Sequence, residues 1–147
     1  MKVKRILYPT DFSDVSQKAL DYIKQLKEAG SKGVIVLHVI NQRTIDNLQQ
    51  HALSGTNIEQ WVKTVKEEAN RSLMKIEKEL KESGFEVKSI AKTGIPLREI
   101  LRVEEEEDIS VIVIGSHGRT NIEEMFLGSV SEKVIRKCKK PVLVIKR

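Results

Sequence analysis

The stretch Val111-Ile112-Val113-Ile114-Gly115-Ser116-His117-Gly118 decides how this chain folds. Four β-branched residues in a row are apolar on both faces, which suits a strand covered above and below by helices. The glycines that follow permit a tight turn and a close approach of backbone to a ligand. Downstream, Val130, Val134, Ile135 and Cys138 recur at helical spacing, and Pro141 ends the run. Strand, glycine loop and helix together form one unit of a parallel α/β domain.

The rest of the chain repeats that unit. Short apolar, β-branched runs fall at 3–8, 33–40, 86–91, 109–114 and 141–146, and are expected to be strands. Val34-Ile35-Val36-Leu37 is again apolar on both faces. Between the strands lie helical periods. Val15, Ala19, Ile23 and Leu26 mark the first, with Ser13 or Asp14 as N-cap and Gly30 past its end. Ile58, Trp61, Val62, Val65, Ala69, Leu73, Ile76 and Leu80 mark a long second helix that stops near Gly84. Pro96 opens a shorter third, carried by Leu97, Ile100 and Leu101. The alternation β-α-β-α-β-α-β-α-β predicts right-handed crossovers and one doubly wound parallel sheet, helices on both faces, across residues 1–147. Ligands of such sheets bind beyond the carboxyl ends of the strands, where strand order reverses. The polar segment Asn41 to Thr56 is long for a βα connection. It is expected to be a mobile loop with one marginal helical turn around Ile45, Leu48 and Leu53.

Composition removes several function classes. The 147 residues suit a single domain with a real core, and the apolar and charged fractions, 39% and 32%, are those of a water-soluble globule. No window approaches the roughly 18 consecutive apolar residues of a membrane span. The basic start Met1-Lys2-Val3-Lys4-Arg5 leads into Ile6-Leu7-Tyr8-Pro9 with no apolar leader core, so a cytoplasmic location and no membrane partner are expected. The net charge of +5 arises from 26 basic and 21 acidic residues that interleave, as in Lys75 to Glu82, and the aromatic fraction is 4%. Interleaved charge without stacking residues argues against a nucleic-acid partner. Cys138 is the sole cysteine. Despite Arg136, Lys137, Lys139 and Lys140 around it, its helical spacing with Val130 and Val134 reads as a packed core thiol.

The chemistry gathers in the loop after the fourth strand. Gly128 and Ser129 stand at the mouth of the last helix, where free N–H groups and the positive dipole end favour an anion. The hydroxyls of Ser129 and Ser131 can add hydrogen bonds to phosphate oxygens. No lysine follows the last glycine, so this is not a P-loop, nor is it a dinucleotide fingerprint.

The pattern Gly115-x2-Gly118-x9-Gly128-Ser129 instead resembles the ATP-binding signature of the universal stress protein family, G-x2-G-x9-G-[ST]. The start, Ile6 to Ser13, looks like that family's first strand and nucleotide loop. Ser116-His117-Gly118-Arg119 and Lys140 to Ile145 are similar to its wording as well. The resemblance covers the whole chain. It implies a Rossmann-like, adenine nucleotide α-hydrolase-like sheet in the order 3-2-1-4-5, with ATP (or ADP or AMP) across strands 1 and 4. Carried over, Pro9, Thr10 and Asp11 line the adenosine side, with Asp11 accepting hydrogen bonds from the ribose hydroxyls. Val39 meets adenine. Ile114 and Gly115 pack near the ribose, and Gly118, Gly128, Ser129 and Val130 hold the phosphates. Beside the resemblance, the residues themselves add Ser131 as a further phosphate contact and Arg119 as a candidate for the β- or γ-phosphate. Mg²⁺ or Mn²⁺ enters only through those phosphates. The resemblance also implies a homodimer pairing through the edge strand 141–146.

Other candidates carry less. His117 reads as a solvent-facing loop residue and His38 as a satisfied core histidine. His51 is remote from both, so no histidine metal site is visible. Glu104 to Asp108 read as solvated surface. No general base or metal-binding carboxylate pair stands out, so no catalytic residue is assigned. An ATP-binding regulatory or stress-response module is the leading expectation. A weak ATPase or phosphotransferase, and a dimeric scaffold with a non-switching site, stay open beside it.

Overall fold

The computed structural model describes residues 3–50, 57–116 and 129–146. Its elements are β1 (Arg5–Pro9), α1 (Asp14–Leu26), β2 (Gly33–Asn41), α2 (Gln42–Gln50), α3 (Ile58–Glu82), β3 (Glu86–Gly94), α4 (Pro96–Glu106), β4 (Val111–Gly115), α5 (Ser129–Lys137) and β5 (Val142–Ile145). They form one five-stranded sheet in the order β3-β2-β1-β4-β5, parallel throughout. This is the expected order, with its reversal between β1 and β4.

Side-chain alternation along the strands builds a core on each face. Ile6, Tyr8, Val34, Val36, Val111 and Val113 point one way, toward Ala19, Leu20 and Ile23 of α1 and Leu73, Ile76 and Leu80 of α3. Leu7, Ile35, Leu37, Ile112 and Ile114 point the other way, toward Ile100 and Val103 of α4 and Val134 of α5. Apolar burial on both faces is why these strands lack the polar alternation of a half-exposed sheet.

Local signals act where the sequence places them. The Ser13 hydroxyl accepts from the N–H of Ser16 and caps α1, while Gly30 takes φ +96° after the helix. The Asn57 side chain caps α3 by accepting from the N–H of Gln60.

Three expectations need correction. First, the polar segment after β2 contains a helix of nine residues, Gln42–Gln50, anchored by the burial of Ile45; positions 51–56 lie outside the described residues. One apolar anchor suffices because the α3 helix beside it supplies the tertiary support that such a short helix lacks alone. Second, β3 runs on to Gly94, paired with β2 at nine positions, because the extended backbone continues past the last apolar residue. Third, the acidic run at the end of α4 is partly structural. Glu104 is buried and accepts from the backbone N–H groups of Lys139 and Lys140, and Glu107 pairs with Arg5 and Lys88. Cys138 packs against the α4/α5 core as expected. Burial, helped by the Glu104 charge, pushes its thiol above the usual value.

Candidate functional site

The carboxyl ends of β1, β2 and β4 leave a cleft of about 550 Å³ at the point where strand order reverses. Pro9, Thr10, Asp11, Val39, Ile114, Gly115, Ser129, Val130 and Ser131 all line it. Nine of the expected site residues, drawn from four separate stretches of chain, therefore meet in one place. Gly118, Arg119 and Gly128, together with His117, lie outside the described residues.

The β1–α1 loop is held in an unusual shape. Phe12 has φ +65°, a left-handed conformation that costs a non-glycine residue about 1–2 kcal/mol. Two side-chain bonds hold the turn around it. Thr10 Oγ1 accepts from the N–H of Phe12 at 3.0 Å, and Asp11 Oδ1 accepts from the N–H of Ser13 at 3.0 Å. Beneath the loop, the Ser16 hydroxyl donates to Thr10 Oγ1, and the Tyr8 hydroxyl donates to the Ser16 carbonyl. Burial raises the Tyr8 phenol above its usual value, so it stays protonated as a donor.

The same loop is tied to β2. The N–H of Thr10 donates to the carbonyl of Leu37 at 2.9 Å, and His38 Nδ1 lies 2.8 Å from the carbonyl of Thr10. A carbonyl only accepts, so Nδ1 carries the proton. The His38 ring also packs on Phe12, centroids 4.3 Å apart. His38 is a satisfied histidine, as expected, but half-buried in the wall of the cleft rather than in the core.

At the opposite wall, α5 begins at Ser129, so its N-terminus opens onto the cleft. Ser129 is exposed there, whereas Ser131 is buried and donates its hydroxyl to the carbonyl of Gly115 at 2.7 Å. The Ser131 proton thus joins α5 to β4 and is not offered to a ligand. Gly115 has a second task as well. A Cβ there would stand 3.0 Å from Val15 Cγ1, so the missing side chain lets the start of α1 approach the end of β4.

Several lining residues were not foreseen: Ser16 on α1, Thr44 on α2, Trp61 and Val65 on α3, and Pro96 and Ile100 on α4. Periodicity assigned the α3 and α4 residues to helix faces without showing how far a helix extends past the sheet. Among the described residues no cluster of metal-ligating side chains occurs, and no helix is long and apolar enough to cross a membrane. Chemically, the cleft offers a carboxylate, hydroxyls, a helix N-terminus and an apolar wall, which suits a molecule with an anionic end and a flat apolar end.

Known proteins share this fold. The family model for the universal stress protein family matches residues 2–146. Universal stress protein MJ0577 of Methanocaldococcus jannaschii is 44% identical over 154 residues, covering 98% of this chain and 95% of that protein. The solved structure of MJ0577 superimposes with a TM-score of 0.89 at 43% identity, covering 100% of this chain and 98% of the other. A universal stress protein from Archaeoglobus fulgidus in complex with dAMP shares the fold at a TM-score of 0.65 and 24% identity, covering 99% and 100%. Another universal stress protein, in complex with cAMP, shares it at 0.65 and 20% identity, covering 99% and 98%. With one sheet order, a match along nearly its whole length and a relative at 44% identity, this chain belongs to the universal stress protein family.

Proposed function

We propose that this chain binds an adenine nucleotide, ATP in the first place, in the cleft between the β1–α1 loop and the start of α5, and serves as a nucleotide-dependent regulatory or stress-response module. The observation that carries this reading is the convergence of Pro9–Asp11, Val39, Ile114–Gly115 and Ser129–Ser131 on one cleft. The nucleotides named with two proteins of the same fold, dAMP and cAMP, support the adenine class.

Each group has a task that its chemistry allows. Asp11 Oδ1 accepts from the N–H of Ser13, and a carboxylate accepts several hydrogen bonds at once, which suits ribose hydroxyls. The exposed Ser129 hydroxyl and the first N–H groups of α5 meet phosphate oxygens, with Gly118, Arg119 and Gly128 completing the phosphate end. Ile114 and Val39 give the nucleoside an apolar seat. Any Mg²⁺ or Mn²⁺ enters on the phosphates. The module works in the cytoplasm as a homodimer through β5, an edge strand whose Leu143 is 36% exposed.

Titration calorimetry with ATP tests the central claim, with mass spectrometry of nucleotide carried through purification as a second readout. The expected result is 1:1 binding that Asp11→Asn and Ser129→Ala each weaken. Absence of binding by the wild-type protein, or binding indifferent to both substitutions, would overturn it.

A further inference from the structure

The long helix α3 does more than cover the sheet. Its buried stripe of Ala69, Leu73, Ile76 and Leu80 packs on the core, and the same stripe continues toward the helix N-terminus as Val65 and Trp61. Helices of this fold run back against the strands, so the N-terminal turns of α3 project past the carboxyl ends of β2 and β3. There Trp61 and Val65 line the cleft, although neither belongs to a core cluster and Trp61 remains 38% exposed. The first turn that carries Trp61 is fixed. Asn57 Oδ1 accepts from the N–H of Gln60, and the Asn57 carbonyl accepts from the N–H of Trp61 at 3.2 Å.

The two ends of the cleft are lined differently. Thr10, Asp11 and Ser129 stand where β1 and β4 meet α5, whereas the large apolar groups Ile40, Trp61 and Pro96 stand at the far end past β2, beside the polar Asn41 and Thr44. We infer that Trp61 forms the outer wall of the base subsite and packs on the flat face of the bound purine opposite Val39. This rests on the nucleotide reading above and assigns it a residue that neither the glycine motif nor the β1 loop contains. With phosphates at α5 and the ribose at Asp11, the base has only the β2 side to occupy. An indole presented to a flat aromatic base gains dispersion and stacking without regard to the base's hydrogen-bond pattern. The wall therefore selects for an aromatic base generally, and preference for adenine comes from elsewhere in the cleft.

Trp61 is the only tryptophan in the chain, so its fluorescence reports on this site alone. The test titrates ATP, AMP and inorganic tripolyphosphate into wild-type protein, Trp61→Ala and Trp61→Phe, followed by calorimetry, with indole emission as a second signal for the wild type. Circular dichroism in urea checks that each variant folds. The expected result is a saturable emission change with ATP and AMP. Trp61→Ala should weaken both about tenfold, Trp61→Phe should retain most of the affinity, and tripolyphosphate should bind all three proteins alike. ATP binding by calorimetry with unmoved emission and an unaffected Trp61→Ala variant would overturn the inference while leaving the nucleotide site standing. Absence of ATP binding by the wild type would overturn both.

Discussion

The Ser131 hydroxyl donates a 2.7 Å hydrogen bond to the carbonyl of Gly115, so the first turn of α5 is fastened to the last residue of β4. Both ends of this bond line the cleft. The distance between the α5 wall of the cleft and its strand floor is thereby set by a buried contact.

Ser131→Ala is expected to destabilise the fold by about 1–2 kcal/mol, since it removes a buried donor and leaves a buried carbonyl short of a partner. Ser129→Ala removes an exposed hydroxyl and is expected to stay within about 0.5 kcal/mol of wild type. Urea denaturation followed by circular dichroism measures both. Equal stability losses at the two serines would contradict the division of labour between them.

Gly115→Ala tests the close approach of α1. The added methyl would meet Val15 Cγ1 at 3.0 Å, closer than ordinary carbon contact, and Val15 is fully buried. A loss of about 1–3 kcal/mol is expected from overpacking. Val15→Ala alone should cost a similar amount through its cavity. The two changes together should cost less than their sum, because the new methyl occupies space that the valine vacates. Strict additivity in this double-mutant cycle would show that the contact does not constrain Gly115.

Much of this was legible beforehand, for physical reasons that can be named. Val111 to Ile114 carry no polar residue and are all β-branched, which suits a strand covered on both faces. The sheet order and the site residues of the β1 loop came with the family resemblance, and their meeting in one cleft followed. Trp61 was hidden because periodicity places it on the same stripe as Leu73, yet the stripe outruns the sheet and changes from core to cleft wall. Ser131 was hidden differently. A serine near a helix start looks like a phosphate ligand until its hydroxyl is seen on Gly115. The α2 helix rests on one buried residue, Ile45, too little for a local pattern to announce.

The Glu107 cluster predicts a pH dependence. The Lys88 ammonium beside it, and then the Arg5 guanidinium 3.0 Å away, hold its carboxyl below the usual glutamate value. A carboxyl whose folded value is lowered binds its proton more readily in the unfolded chain. Its stabilisation is complete above the ordinary glutamate value, about 4.3, and fades as pH falls through the lowered one. Chemical denaturation midpoints between pH 3 and 6 should therefore fall less steeply for Glu107→Gln than for wild type. Added salt should shrink the difference, because these charges are partly exposed. Parallel profiles at low salt would remove Glu107 from the account.

Glu104 links the end of α4 to the turn after α5, and to the reactivity of the lone thiol. Glu104 is 6% exposed, and its carboxylate accepts from the N–H of Lys139 at 3.0 Å and from that of Lys140 at 3.3 Å. Charge-assisted bonds of this kind contribute about 1.5–3 kcal/mol each to the folded state, though bonds sharing one carboxylate do not add simply. Glu104→Ala should therefore destabilise by about 2–4 kcal/mol, and Glu104→Gln by less, since an amide oxygen still accepts. The same negative charge, second to burial, holds the Cys138 thiol above its ordinary value. Removing it without removing the packing should move the pH profile of Cys138 alkylation to lower pH in Glu104→Gln. Unfolding alone would speed alkylation at every pH in proportion to the unfolded fraction, so the profile must be taken where circular dichroism shows the variant folded. A profile identical to wild type under those conditions would mean that burial alone sets the thiol, and that the carboxylate serves only the backbone.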